Sequence, residues 1–243
     1  MASFSEQYLA ALVANAAYVN FAGLNPTPSL PLDELQLRNR LIDKGRYSDK
    51  EAEDFAKKFE VVAVYSDGLT TGFQGIALRE RDLNAGEPAG FGRTPGRIWI
   101  AFRGTETSLT GTLQDLAADV QLTLGLAIDQ LGSLEKFMAK LAAPVASGGY
   151  GLLSAGTQVN FAGHSLGGHL AQMAALKYPQ YLNHAYTQNT ANVGGIVAGA
   201  AGLVGYNPLP ASFRSRVSNT FTEAGLFMVS SGATGQRLGL DEF

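Results

Sequence analysis

One segment constrains the fold more than any other. Val159-Asn160-Phe161-Ala162 runs directly into Gly163-His164-Ser165-Leu166-Gly167-Gly168, and then into Leu170 to Lys177. The first four residues suit a short buried strand and the last eight a helix, which Pro179 closes. A serine therefore stands at an abrupt strand-to-helix turn. Such a turn holds its central residue in a strained backbone conformation and leaves no room for a Cβ two positions to either side, where Gly163 and Gly167 stand. The GxSxG pattern alone is weak, because chance yields it about 0.2 times at this length and composition. Its context carries the weight: the β-run before it, the extra Gly168, and a mid-chain position that leaves earlier strands to build a sheet. The competing reading is a glycine-rich loop whose serine only caps the helix.

The rest of the chain supplies the remaining elements. Phe4, Tyr8, Leu12, Ala16 and Val19 recur at helical spacing, with Ser3 and Glu6 placed to close a capping box, so residues 4 to 20 read as an amphipathic helix. Leu32 to Lys44 repeats the pattern up to Gly45, and Ser48 with Glu51 caps a third helix to about Phe59. The period then shortens. Val61 to Ser66, Gly72 to Glu80 and Arg97 to Phe102 are β-rich, the first two joined at Asp67-Gly68, and Arg81 to Gly96 is a Gly- and Pro-rich loop. Thr112 to Ala143 is helical with an interruption near Gly132-Ser133; Thr157 to Ala162, Leu182 to Gln188 and Arg214 to Phe221 are further strands. Strands alternating with helices after residue 97 call for right-handed crossovers and a mostly parallel sheet with helices on both faces. The expected class is α/β, with an antiparallel hairpin ahead of the parallel part and one domain over residues 1 to 243.

Composition narrows the function. With 18 Lys plus Arg against 21 Asp plus Glu, the chain lacks the basic footprint of a nucleic-acid binder. No cysteine is present, which removes disulfides, thiolate metal sites and a Cys nucleophile together. The segment Met1 to Phe21 carries Glu6 and no basic residue, unlike a secretory signal peptide. The apolar stretch Val193 to Val204 has 12 residues, too few to span a bilayer, so a soluble chain is expected. The wider Gly-Ala run Val193 to Gly205 reads as a buried or flexible helix, with a membrane-facing acyl-chain wall as the sharper alternative.

Chemistry concentrates at two places. A helix that begins just after Ser165 puts the Leu166 N–H and a partial positive charge where an oxyanion would form. Ile98-Trp99-Ile100-Ala101-Phe102 is an apolar strand that ends in Arg103-Gly104-Thr105-Glu106, where the Thr105 N–H can serve as a second oxyanion donor. Alone, that segment reads as an ordinary strand-end turn with Arg103 in a surface ion pair.

Taken together, IAFRGTE and, about 60 residues on, NFAGHSLGGHLA resemble the class 3 lipase family and its relatives among bacterial lipases and phospholipases. The resemblance is best between Gly72 and Lys177. It implies an α/β-hydrolase fold, Ser165 as nucleophile and Thr105 as an oxyanion donor. It further implies that Asp119 or Asp115 braces the oxyanion loop and that Thr107 to Gln114 lies where such enzymes carry a lid. No metal or organic cofactor is implied. The partner implied is a lipid or other ester, met at a membrane or micelle surface.

The rest of a triad is harder to place. In this topology the order is Ser, then Asp or Glu, then His. After the nucleophile helix the acidic residues are Glu223, Asp241 and Glu242, and Glu223 follows a β-run where a strand-end loop would present it. Glu223 is the candidate acid, with a surface carboxylate as the alternative. His164, His169 and His184 are the three histidines, and none follows Glu223. Three explanations stay open, in this order: the sequence stops short of a C-terminal strand, helix and His; His184 serves in an altered arrangement; or the protein is a binding or inactive relative. The expected activity is carboxylic-ester hydrolysis through an acyl-enzyme, with acyl transfer as a competing chemistry. Export, if it occurs, would use a signal outside this sequence.

Overall fold

The structure, a computed structural model, describes residues 4–43, 46–67, 71–82, 94–103, 130–190, 211–220 and 240–242. Seven strands are hydrogen-bonded side by side in sequence order: β1 (Phe59–Ser66), β2 (Gln74–Glu80), β3 (Ile98–Arg103), β4 (Val159–His164), β5 (Leu182–Gln188), β6 (Val217–Thr220) and β7 (Leu240–Glu242). The pairs β1·β2 and β2·β3 are antiparallel, and every later pair is parallel. Parallel strands laid down in sequence order, with crossovers of one hand, place their connecting helices on one face of the sheet.

The core follows that rule. The helix over residues 130–142 (here α4) and α5 (Leu166–Lys177) pack on the face to which Ile98, Ile100, Phe102, Val159 and Phe161 point. On the opposite face, α1 (Phe4–Ala16), α2 (Glu34–Ile42) and α3 (Asp49–Lys58) cover Val61, Ile76, Leu78, Trp99, Ala101 and Ala162. β3 thus alternates strictly between two apolar layers, the pattern of a strand buried on both sides. α5 is buried all round from Leu166 to Leu176, which explains why its sequence is apolar without a polar stripe.

Local chemistry sets the element ends. Ser48 and Glu51 form the expected reciprocal capping box at α3, and Asp33 with Gln36 forms another at α2. At the other end of the hairpin, Glu80 is fully buried and accepts from the Thr94 backbone N–H at 2.7 Å, Arg97 Nε at 2.6 Å and Trp99 Nε1 at 2.8 Å. That cluster ties β2 to the chain entering β3.

Three elements differ from expectation. α1 ends at Ala16 instead of near residue 20, because the chain turns there to let Gln74 Nε2 donate to the Ala17 and Val19 carbonyls. Helix α4 runs unbroken through Gly132-Ser133: a Cβ at Gly132 would meet open space, and Ser133 Oγ donates to Asp67. β7 has no counterpart among the expected strands; three residues are too few for a period to show. No helix among the described residues is long and apolar enough to cross a membrane. The Ser3 cap, the lid segment Thr107 to Gln114 and the run Val193 to Gly205 lie outside the described residues.

Candidate active site

Ser165 sits between the last residue of β4 and the first of α5, with φ 54° and ψ −124°. It and Asn189 are the two non-glycine residues with positive φ among the described residues. For serine this conformation costs of order 1–3 kcal/mol, so the surroundings must enforce it. They do so from both sides. The Ser165 N–H donates to the Gln188 carbonyl at 2.9 Å, fastening the turn to the end of β5, and the Ser165 carbonyl accepts from the His169 N–H at 3.1 Å as the first bond of α5.

Glycine is required sterically at positions 163 and 168. A Cβ on Gly163 would lie 2.1 Å from the Gly167 carbonyl oxygen, and one on Gly168 would lie 2.8 Å from Thr190 Cβ and 3.0 Å from the Gly163 carbonyl oxygen. The turn closes too tightly for any side chain there. The Ser165 hydroxyl makes no capping bond to the helix, and the residue is exposed, so the alternative of a serine that merely caps α5 is not what the structure shows. The backbone N–H groups of the first turn of a helix have no intrahelical partner and carry its positive pole, and that of Leu166 belongs to this set.

The ends of three other strands gather around the turn. Phe102 of β3 is in register with Gly163, which places Arg103 beside His164 on the neighbouring strand. On the other side, Gln188 is in register with Thr220, the last residue of β6. Behind the turn, Gln172 Nε2 and Thr187 Oγ1 both donate to Asn219 Oδ1, at 3.1 and 2.7 Å, a buried cluster that holds α5, β5 and β6 together. Arg103 Nη2 donates to the Gly72 carbonyl at 3.0 Å, and among the described residues no carboxylate forms an ion pair with it. Thr105, Asp115, Asp119 and Glu223 lie outside the described residues.

Each histidine has an identifiable place. The His164 ring meets Tyr18 edge-on with centroids 6.5 Å apart, and its carbonyl accepts from the Tyr18 hydroxyl at 3.2 Å. Desolvation holds the His164 pKa below the usual histidine value. His169 is buried within α5 at 2% exposure. His184 Nε2 is 2.9 Å from Ser218 Oγ and its ring rests on Tyr186, centroids 4.4 Å apart. It lies four residues before Gln188, roughly 13 Å back along β5 from the strand end that holds Ser165.

Two participants escape a reading of the sequence. Tyr18 reaches the turn from 146 residues away, and Asn219 sits in a four-residue strand with no local motif. Among the described residues no group of three or more His, Cys, Asp or Glu side chains could hold a metal ion.

No family model matches the chain, and no curated protein matches it either. Solved structures to which it is similar include the Lip2 lipase from Yarrowia lipolytica (16% identity, 98% of this chain and 76% of that one, TM-score 0.47). Others are a lipase from Rhizopus microsporus var. chinensis (17%, 95% and 70%, 0.44) and a triacylglycerol lipase from Penicillium expansum (14%, 97% and 77%, 0.45). The chain itself has an α/β-hydrolase-like fold, with its mostly parallel sheet, helices on both faces and a serine at a strained strand-to-helix turn.

Proposed function

We propose that the protein is a serine carboxylic-ester hydrolase of lipase or phospholipase type, related to the class 3 lipases and acting at lipid surfaces. The observation that carries this reading is Ser165 itself, an exposed residue held at φ 54° on the N-terminus of α5, its side chain not spent on capping the helix. Strain of this kind persists only where surrounding structure over-determines it, and it is concentrated at functional turns.

In this mechanism Ser165 Oγ attacks the acyl carbonyl, and its proton passes to a histidine base. The developing oxyanion accepts from the N–H groups of Leu166 and Thr105; it collapses as the ester C–O bond breaks and the alcohol leaves with the proton the histidine returns, and water then hydrolyses the acyl-enzyme to the free acid. Glu223, three residues beyond the end of β6, orients the imidazole. The packing of His169 in the core and of His184 against Ser218 argues against either as that base.

The test is p-nitrophenyl ester turnover by the complete enzyme. Ser165→Ala should lower it by several orders of magnitude, since triad members act as a unit; unchanged turnover rules the assignment out. The placement of the three histidines also favours a second reading, a non-catalytic lipid-binding relative. A fluorophosphonate probe separates the two: labelling at Ser165 supports the hydrolase, and failure to label supports the binding protein. Product analysis with competing alcohols separates hydrolysis from acyl transfer.

A further inference from the structure

A cavity of about 650 Å³ opens at the end of the sheet where the parallel strands finish, walled by the chain after α1, the end of β1 and the last residue of β3. Among the described residues three cations line it, Arg46, Arg103 and Lys140, against one carboxylate, Asp43. In a chain of net charge −3, positive charge is gathered here against the trend of the whole molecule.

The cavity adjoins the serine turn. Arg103 is one position beyond the Phe102–Gly163 pair, so its backbone lies about one strand spacing, ~5 Å, from that of His164. Tyr18 lines the cavity, and its hydroxyl holds the His164 carbonyl at 3.2 Å. The Arg46 guanidinium lies over the Tyr18 ring, 5.1 Å from its centroid.

The walls are built in advance of any ligand. Gln74, 5% exposed, donates to the carbonyls of Ala17 and Val19 at 2.7 and 2.8 Å and pins the chain after α1 against β2. Arg103 is tethered to the Gly72 carbonyl at 3.0 Å, and Lys140 lies over the Tyr150 ring at 5.1 Å.

We propose that this cavity receives the phosphate of an anionic head group, so that the substrate class is an anionic phospholipid and not a neutral glyceride. The inference rests on the reading of Ser165 as nucleophile. Guanidinium groups match the paired oxygens of a phosphate and an ammonium adds a point charge. Concave walls strengthen the field of such a cluster. An anionic head group gains from that field, and a neutral glyceride does not.

The test uses the full chain. Calorimetric titration with sn-glycerol 3-phosphate reports the anion site alone. Hydrolysis of phosphatidylglycerol, phosphatidylcholine and diacylglycerol in mixed micelles reports head-group choice. Lys140→Gln, an exposed position on α4, and Arg46→Gln should each weaken glycerol phosphate binding about tenfold, with a similar fall in the phosphatidylglycerol-to-diacylglycerol rate ratio. Arg103→Gln also removes the Gly72 tether, so its melting curve is read first.

Absence of glycerol phosphate binding at millimolar concentration overturns the proposal. So does binding that both variants leave intact. Binding that the variants weaken, with no change in head-group preference, overturns the lipid source and assigns the cavity to a soluble phosphate compound. The titration is repeated on Ser165→Ala. If the native chain hydrolyses no ester, or Ser165→Ala hydrolyses it unchanged, yet glycerol phosphate binds and Lys140→Gln weakens it, the anion site stands and the nucleophile reading falls.

Discussion

Replacing Gly163 by alanine tests the geometry of the serine turn directly. The added Cβ would lie 2.1 Å from the Gly167 carbonyl oxygen, 2.3 Å from its carbonyl carbon and 2.6 Å from the Gly168 nitrogen. The closest of these falls 0.9 Å short of the 3.0 Å that Cβ contacts normally keep. All three atoms are backbone in the first turn of α5, so no side chain can swing aside, and relief requires the helix to part from β4. Overpacking in a well-packed interior costs about 1–3 kcal/mol, and a clash with rigid backbone belongs at the upper end. At ~3 kcal/mol, a chain of this size should lose roughly 6–12 °C of melting temperature. The assay is thermal denaturation followed by circular dichroism, with Gly23→Ala as the comparison. Gly23 has φ +79° and nothing within 4 Å of an added Cβ, so that change carries only the left-handed backbone cost of about 1 kcal/mol. Ester turnover by Gly163→Ala should fall further than its stability does, since Ser165 moves with the turn. A variant that melts no lower than Gly23→Ala and turns over normally would show that β4 and α5 do not close so tightly.

Two further perturbations probe separate parts of the fold. Glu80→Ala removes the acceptor shared by Thr94, Arg97 and Trp99, leaving a guanidinium and an indole N–H without it in the interior. A loss of about 3–5 kcal/mol in urea denaturation is expected, and less than about 1 kcal/mol would mean the cluster is loosely held. His164 tests the pH dependence. Because desolvation depresses its pKa, the unfolded chain takes up that proton more readily than the folded one. Stability is therefore fully present above the ordinary histidine pKa of about 6.5 and is lost as pH falls through it toward the lower folded value. The drop in melting temperature between about pH 7.5 and pH 5 should be smaller for His164→Gln than for the native chain. Equal drops would mean that the ring is not desolvated.

Much of this protein is legible residue by residue. The capping box at Ser48 and Glu51, the strand Leu182–Gln188 and the alternation of Ile98 to Phe102 all rest on contacts between near neighbours, whose spacing is written in the chain. The serine turn is legible for the same reason, since Gly163, Ser165 and Gly167 constrain one another within five residues. The break expected at Gly132-Ser133 failed where local propensity met a distant partner: Asp67 receives the Ser133 hydroxyl, and Gln130 Nε2 donates to the Thr71 carbonyl at 2.8 Å. The end of α1 was misplaced for a similar reason, because Gln74, 57 residues on, takes the Ala17 carbonyl.

Which distant residues share a neighbourhood is settled by packing alone. Sheet register sets Arg103 beside His164, brings the end of β6 alongside Gln188, and carries His184 down the strand to Ser218. No periodicity encodes that register, because it comes from packing two apolar layers at once against a single sheet. Short-range spacing encodes the α/β class and the position of the strained serine; packing sets what surrounds it, including the cationic cavity, whose Arg46, Arg103 and Lys140 come from three separate segments.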